Sequence, residues 1–360
     1  MNSETNPLPT SRPKRRLRRL ILKLAMVAVT SGLCLLLAEL GVRILFPQFN
    51  PKAQLAFQAM PGHFALGPPL QTEWDMAPKG DFNVAVKFNQ YGFRDAKDLR
   101  DATTNDWFAV GDSFTLGFGV DEDKRFSNLL EQKIQAAGGR ARVFNIAIPG
   151  NFIDYQRLVK NAESKGAHIG RLIVGVCMDN DLEDYRGGQS DWELMPQWDA
   201  ASSAKDKVRR WLKRHSAIYI TASFVLEASP GPRKFLEKIG LANDLVALDR
   251  AHKSLLDETV LKTGRDELLK LAAGHDTVVL IVPSRRLWLG GDEKTETQIH
   301  TTFVQMCRDA GLNVIDLKPV FEKDPHPLNF YFTHDPHWSP PGHEAAAAEL
   351  LKAVQSHGQD

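Results

Sequence analysis

Cysteine is scarce, with three in 360 residues, and no two of them stand at the spacing of a zinc site. Cys177 and Cys307 each sit inside an apolar segment and read as small buried hydrophobes, not as a disulfide framework. No internal repeat or low-complexity tract is present. An excess of one charge is missing as well: the formal net charge is +1. That balance hides an asymmetry, because Arg12, Lys14, Arg15, Arg16, Arg18, Arg19 and Lys23 face only Glu4 in the first 23 residues. The rest of the chain is therefore mildly acidic, which excludes nucleic acid as a partner.

Directly after the basic cluster come the fifteen uncharged residues Leu24–Ala38. With Lys23 snorkelling, Leu20–Leu40 reaches the roughly 20 residues that a bilayer requires. The preceding cations place the N-terminus in the cytoplasm and export the remainder. A cleaved signal peptide is the rival, but no A-x-A pattern lies near Ala38. Lipidation at Cys34 is opposed by the bulky Leu33. The expected organisation is a basic cytoplasmic tail (1–19), a single-pass signal anchor (20–41), a Pro- and Gly-containing stalk or lead-in (42–80) and one domain (81–360) outside the cytoplasm.

Short apolar strands are read at 106–110, 141–148, 171–178, 276–283 and 313–317, alternating with helical spacing at 126–139, 152–166 and 299–311. Near-continuous apolar strands between helices predict a parallel sheet covered on both faces, a doubly wound α/β fold. Between about 186 and 274 the rhythm lapses into helical material, including 205–228 and 241–274, which reads as an insertion capping one end of the sheet. The cationic run Lys205–Arg214 is either a solvated helix face or a surface for anionic lipid or an acidic glycan.

The loop "VGDSFTLGFGV" (110–120) follows the first strand, where open α/β sheets place ligands. It is no P-loop, because no lysine follows the glycines, and it lacks the third glycine of a dinucleotide loop. The G-x-S-x-G elbow fails too, with Thr115 at the second glycine position. Ser113 is thus a helix cap or a nucleophile. In "THDPHWSPPGHEAAAAEL" (333–350), Asp335 and His337 stand two apart, so the carboxylate can hold the imidazole in one tautomer. His334 and His343 offer no metal-ligand spacing. Gly150 and Asn180 fall after two further strands, where a backbone N–H and a side-chain amide can join the Ser113 N–H as oxyanion donors.

Taken together, "GDS", Gly150, "ND" at Asn180-Asp181 and "DPH" resemble the four blocks of the SGNH/GDSL hydrolase superfamily. The lead-in "NQYGFRD" (89–95) is similar to one in membrane-anchored bacterial members. The resemblance implies a flavodoxin-like three-layer α/β/α fold. It further implies Ser113 as nucleophile, His337 as general base, Asp335 as its orienting acid, and Ser113, Gly150 and Asn180 as oxyanion donors. The D-x-H spacing is similar to that of alginate-type polysaccharide O-acetyltransferases, and "MDND" departs from G-x-N-D by bringing Asp179 close to the oxyanion site.

The expectation is an exported, inner-membrane-anchored, periplasmic serine esterase that removes acyl groups, chiefly acetyl, from a carbohydrate or a small ester, with no metal or organic cofactor. An O-acetyltransferase using the same triad, with a multi-spanning acyltransferase as partner, is the first alternative. A silent glycan-binding or assembly protein is the second.

Overall fold

The computed structural model describes residues 12–182, 189–190, 192–193, 203–238, 244–254 and 257–356. The tail up to residue 11, the end of the 178–185 loop and parts of the expected helical insertion, 241–243 and 255–256 among them, lie outside the described residues.

Five strands form the central sheet: β5 (Trp107–Val110), β6 (Val143–Asn145), β7 (Arg171–Cys177), β8 (Asp276–Val282) and β9 (Asn313–Asp316). Their order is β6-β5-β7-β8-β9, parallel throughout. All five are the strands read from the sequence, because β-branched runs such as "RLIV" and "TVVLIV" bury both faces. One helical layer consists of α3 (Phe126–Ala136), the short α11 (Lys318–Phe321) and α12 (Pro340–Ser356); the other holds α4 (Phe152–Ser164), α9 (Glu258–Ala272) and α10 (Glu293–Asp309). Chain order reverses between β5 and β7, and the crevice at such a reversal is where flavodoxin-like sheets bind ligands.

Helix α1 (Arg12–Leu45) contains Leu17–Leu45, long and apolar enough to cross a membrane; its most apolar stretch has a mean hydropathy of 2.3 and is fully unburied.

Residues 42–80, read as a stalk or lead-in, build on the domain instead. Strands β1 (Gln58–Met60) and β2 (Phe64–Leu66) pair antiparallel, as do β3 (Thr72–Met76) and β4 (Asn83–Lys87). Phe64, Ala65 and Leu66 enter the main core. Alternation in β3 was hard to read because its buried face carries Glu73 and Asp75, not apolar side chains.

Helices fill the interval between β7 and β8. The expected helix over 205–228 is two, α5 (Ala204–His215) and α6 (Ala217–Ala228), with Ser216 between them accepting from the Tyr219 N–H. They are followed by α7 (Pro230–Lys238) and α8 (Leu245–Ala251), with α9 returning the chain to the sheet.

Candidate active site

Strand β5 ends in Val110, and one tight turn later the single-turn helix α2 (Ser113–Leu116) begins. Asp112 caps it, its Oδ1 accepting from the Phe114 N–H at 2.9 Å. A side chain on Gly111 or Gly175 would run into Thr115. These two glycines let the turn press against β7, which fixes where Ser113 points.

His337 reaches the same place from the loop before α12. Its Nε2 lies 2.7 Å from Ser113 Oγ, and its Nδ1 lies 2.6 Å from Asp335 Oδ1. That carboxylate oxygen also accepts the His337 backbone N–H at 3.0 Å. With Nδ1 protonated against Asp335, Nε2 is left to accept the serine proton. The ring is held between Phe118, stacked at 5.0 Å, and Phe114, tilted at 4.9 Å. Two residues 222 and 224 positions beyond Ser113 have thus been brought into one hydrogen-bonded row with it.

Electrostatics favour a basic imidazole. Burial alone depresses the His337 pKa, but the Asp335 hydrogen bond and the negative charges of Asp335, Asp112 and Asp75 outweigh it, and the net shift is upward. Burial pulls Asp335 the other way from its partner, and the bond to His337 prevails, leaving Asp335 below the usual carboxylate range. Asp112, fully buried, is pushed up to about 6 by desolvation despite the nearby His337 charge.

Asn180 follows β7, and its side chain faces the Asp112 carboxyl. Gly150 is buried at the end of the β6 loop, against the Asp154 side chain, where any Cβ would collide. Behind it Asn151 and Asp154 form a reciprocal cap on α4. Asp179 does not stand as a bare charge: it bonds the Ser284 hydroxyl, lies 3.7 Å from Arg286, and burial raises its pKa. His343 is a core residue that accepts from the Phe126 N–H at 3.3 Å and whose burial drives its pKa down to about 3. His334 sits apart from it, with Nδ1 3.1 Å from Asp81 Oδ1.

Three residues that sequence reasoning passed over shape the site. Asp81 Oδ2 accepts the backbone N–H of both His334 (2.8 Å) and Asp335 (2.9 Å), tying the acid loop to the turn of the β3–β4 hairpin. Arg285 Nη1 donates to the Asp335 carbonyl at 2.9 Å while its Nε grips Asp249 of α8 at 2.6 Å. Asp75 Oδ2 accepts the Gly119 N–H at 2.8 Å, holding the loop that carries Phe118. Asp75 and Asp81 lay in a segment without apolar periodicity, so only their acidity beside a hairpin turn hinted at them.

A cavity of about 300 Å³ opens beside His337, walled by Asp75, Asp81, Phe82, Phe118, Arg209 and Glu227. Asp75, Phe118 and Glu227 also border a neighbouring cavity of about 420 Å³ under α5 and α6, with Trp74 and Phe224 on its sides. A hydroxyl, its base, the base's orienting carboxylate and an adjoining cleft of aromatic and acidic side chains are together able to open an ester through a covalent serine intermediate.

The family model described as the SGNH hydrolase-like domain of the acetyltransferase AlgX matches residues 250–360. That span includes Asp335 and His337 but not Ser113. No curated protein matches the chain. Among solved structures, the chain is similar to a lipase/acylhydrolase from Enterococcus faecalis (13% identity, 70% of this chain and 96% of that one, TM-score 0.41). It is likewise similar to a member of the lipolytic G-D-S-L family from Veillonella parvula (11% identity, 69% and 98%, TM-score 0.39). A third similar structure is the esterase EstA from Pseudoalteromonas sp. (12% identity, 71% and 100%, TM-score 0.34).

Proposed function

We propose that the chain is a membrane-anchored serine enzyme of the SGNH esterase and acyltransferase kind, which opens acetyl esters on carbohydrate through an acetyl-Ser113 intermediate. The observation that carries this reading is the row Ser113 Oγ, His337 Nε2, His337 Nδ1, Asp335 Oδ1, with contacts of 2.7 and 2.6 Å.

In this reading His337 takes the Ser113 proton as Oγ attacks the ester carbonyl, and Asp335 stabilises the imidazolium so formed. The N–H groups of Ser113 and Gly150 and the Asn180 amide are the donors offered to the oxyanion. The imidazolium then protonates the departing sugar oxygen. Water, deprotonated by the same His337, releases acetate. Aromatic and acidic cleft walls suit a sugar, whose C–H faces pack on rings and whose hydroxyls donate to carboxylates.

The match of residues 250–360 to an acetyltransferase domain favours a second reading, in which a sugar hydroxyl replaces water as acceptor. Helix α1 supports membrane anchoring in both, with the basic end of the helix cytoplasmic and the domain periplasmic by the positive-inside rule. Purified full-length chain incubated with acetylated oligosaccharide, and separately with an acetyl ester plus unacetylated oligosaccharide, separates the two. Acetate release from the first supports hydrolysis; acetyl appearing on the glycan in the second supports transfer; neither from wild type overturns both.

A further inference from the structure

Helix α5 is amphipathic in the wrong sense for a water-soluble cap. Its twelve residues "AKDKVRRWLKRH" carry Lys205, Lys207, Arg209, Arg210, Lys213 and Arg214 against a single acid, Asp206. At 3.6 residues per turn, Val208, Trp211, Leu212 and His215 fall on one side of the helix. In a soluble domain that side packs inward. Here Val208 and Trp211 are each 59% exposed, and no residue of α5 is buried. Three of the six cations border the cleft: Arg209 the cavity beside His337, and Lys213 and Arg214 its neighbour.

The depth of this helix is set by α1. The Glu39 carboxylate accepts the backbone N–H groups of Ala217 (2.7 Å) and Ile218 (3.0 Å) and the Ser216 hydroxyl (3.1 Å). Arg43 Nη2 donates to the carbonyl of His215 at 2.7 Å. Two residues of α1 thereby clamp the last residue of α5 and the first turn of α6. At about 1.5 Å per residue, some 20 residues from Leu20 onward span about 30 Å, the thickness of the hydrocarbon layer. Glu39 and Arg43 then stand at headgroup level, and so does the end of α5 that they hold. Phe46, at the end of α1, and Val225 and Leu226 of α6 are exposed apolar side chains as well.

We propose that α5 lies in the headgroup plane of the membrane that α1 spans, with Val208 and Trp211 at the acyl-chain boundary and Lys205, Lys207 and Arg214 on the phosphates of anionic phospholipid. An exposed tryptophan flanked by lysine and arginine is the composition of an interfacial helix. Docked so, α5 and α6 hold the outer cavity against the bilayer surface. The proposal rests on α1 as a membrane anchor and is independent of the acyl chemistry.

The test uses the full chain with Cys34→Ser and Val208→Cys, labelled with an environment-sensitive nitrobenzoxadiazole dye; Cys177 and Cys307 are buried. A second sample carries the dye at Lys352→Cys on α12. Each is reconstituted in phosphatidylcholine vesicles with and without 30% phosphatidylglycerol, with nitroxide-bearing phosphatidylcholine as quencher. The expected result is at least twofold stronger quenching at position 208 than at 352, increased by phosphatidylglycerol and lost in the Lys205→Glu/Lys207→Glu/Arg214→Glu variant. Equal quenching at the two positions, or quenching indifferent to both lipid charge and the triple variant, overturns the proposal. Carbonate extraction of the same vesicles tests the anchor itself: a chain released by carbonate overturns the anchor and the proposal together, whereas a retained chain with an unquenched dye at 208 overturns the proposal alone.

Discussion

Replacing Asp335 with Asn removes one charge while leaving its backbone in place. Asp81 still grips the N–H of residue 335 and Arg285 its carbonyl, so the loop has no reason to move. In the proposed mechanism, what is lost is the negative partner of an imidazolium that exists only while the ester is being opened. With charge centres roughly 4 Å apart and an effective dielectric constant of about 20, that partner stabilises the charged form by about 4 kcal/mol. The rate of acylation should fall on the order of 10³-fold, and nearer 10⁴-fold if the amide also turns its NH₂ toward Nδ1 and imposes the wrong tautomer. The sign of the accompanying pH effect is fixed as well. His337 must be neutral to accept a proton, and Asp335 is among the groups that raise its pKa. In the Asn variant the acid limb of the kcat/KM profile moves to lower pH. The assay is 4-nitrophenyl acetate hydrolysis from pH 5 to 9 for wild type and variant. A loss below tenfold, or an acid limb that stays put or moves upward, refutes the role given to Asp335.

Two other perturbations reach the supporting structure. Asp81→Ala strips the acceptor from the N–H groups of His334 and Asp335; at roughly 1–3 kcal/mol for a buried donor left unpaired, melting in detergent should show a loss of about 2 kcal/mol, with kcat reduced more than KM is raised. Unchanged melting and unchanged kcat would contradict the tie between hairpin and acid loop. His343 is held neutral to about pH 3, whereas the unfolded chain takes up that proton near 6.5. Its contribution is therefore present at neutral pH and is lost as pH falls below 6.5, by about 1.4 kcal/mol per unit down toward 3. Melting at pH 7 and pH 5 should show His343→Gln losing less stability between the two than wild type does, by about 2 kcal/mol; equal losses would contradict its burial as a neutral core residue.

The sheet was legible because its strands are buried on both faces, so runs such as "RLIVGVC" announce themselves without needing partners. Ser113 and the Asp335/His337 pair, which meet within hydrogen-bonding distance, stood out for a different reason: their blocks fall at strand ends in recognisable company. The first hairpins were not. In β3 the inward positions hold Glu73 and Asp75, and nothing local says that Gly119, 44 residues onward, supplies the N–H that makes Asp75 tolerable there. Arg285 was equally silent, since its partners Asp249 and Asp335 lie 36 and 50 residues away. The break at Ser216 depends in turn on Glu39, which reaches it across 177 residues from an apolar helix. Sequence pattern reports the faces that water leaves; it is blind to polar pairs whose members meet only after folding.

The most direct measurement of the central claim is where a serine-directed probe attaches. Full-length chain treated with a fluorophosphonate, digested and mapped by peptide mass spectrometry, should carry one adduct on Ser113, absent from Ser113→Ala and slowed by at least 10²-fold in His337→Ala. An adduct on another residue, or equal labelling of wild type and Ser113→Ala, would contradict the assignment of Ser113 as the nucleophile.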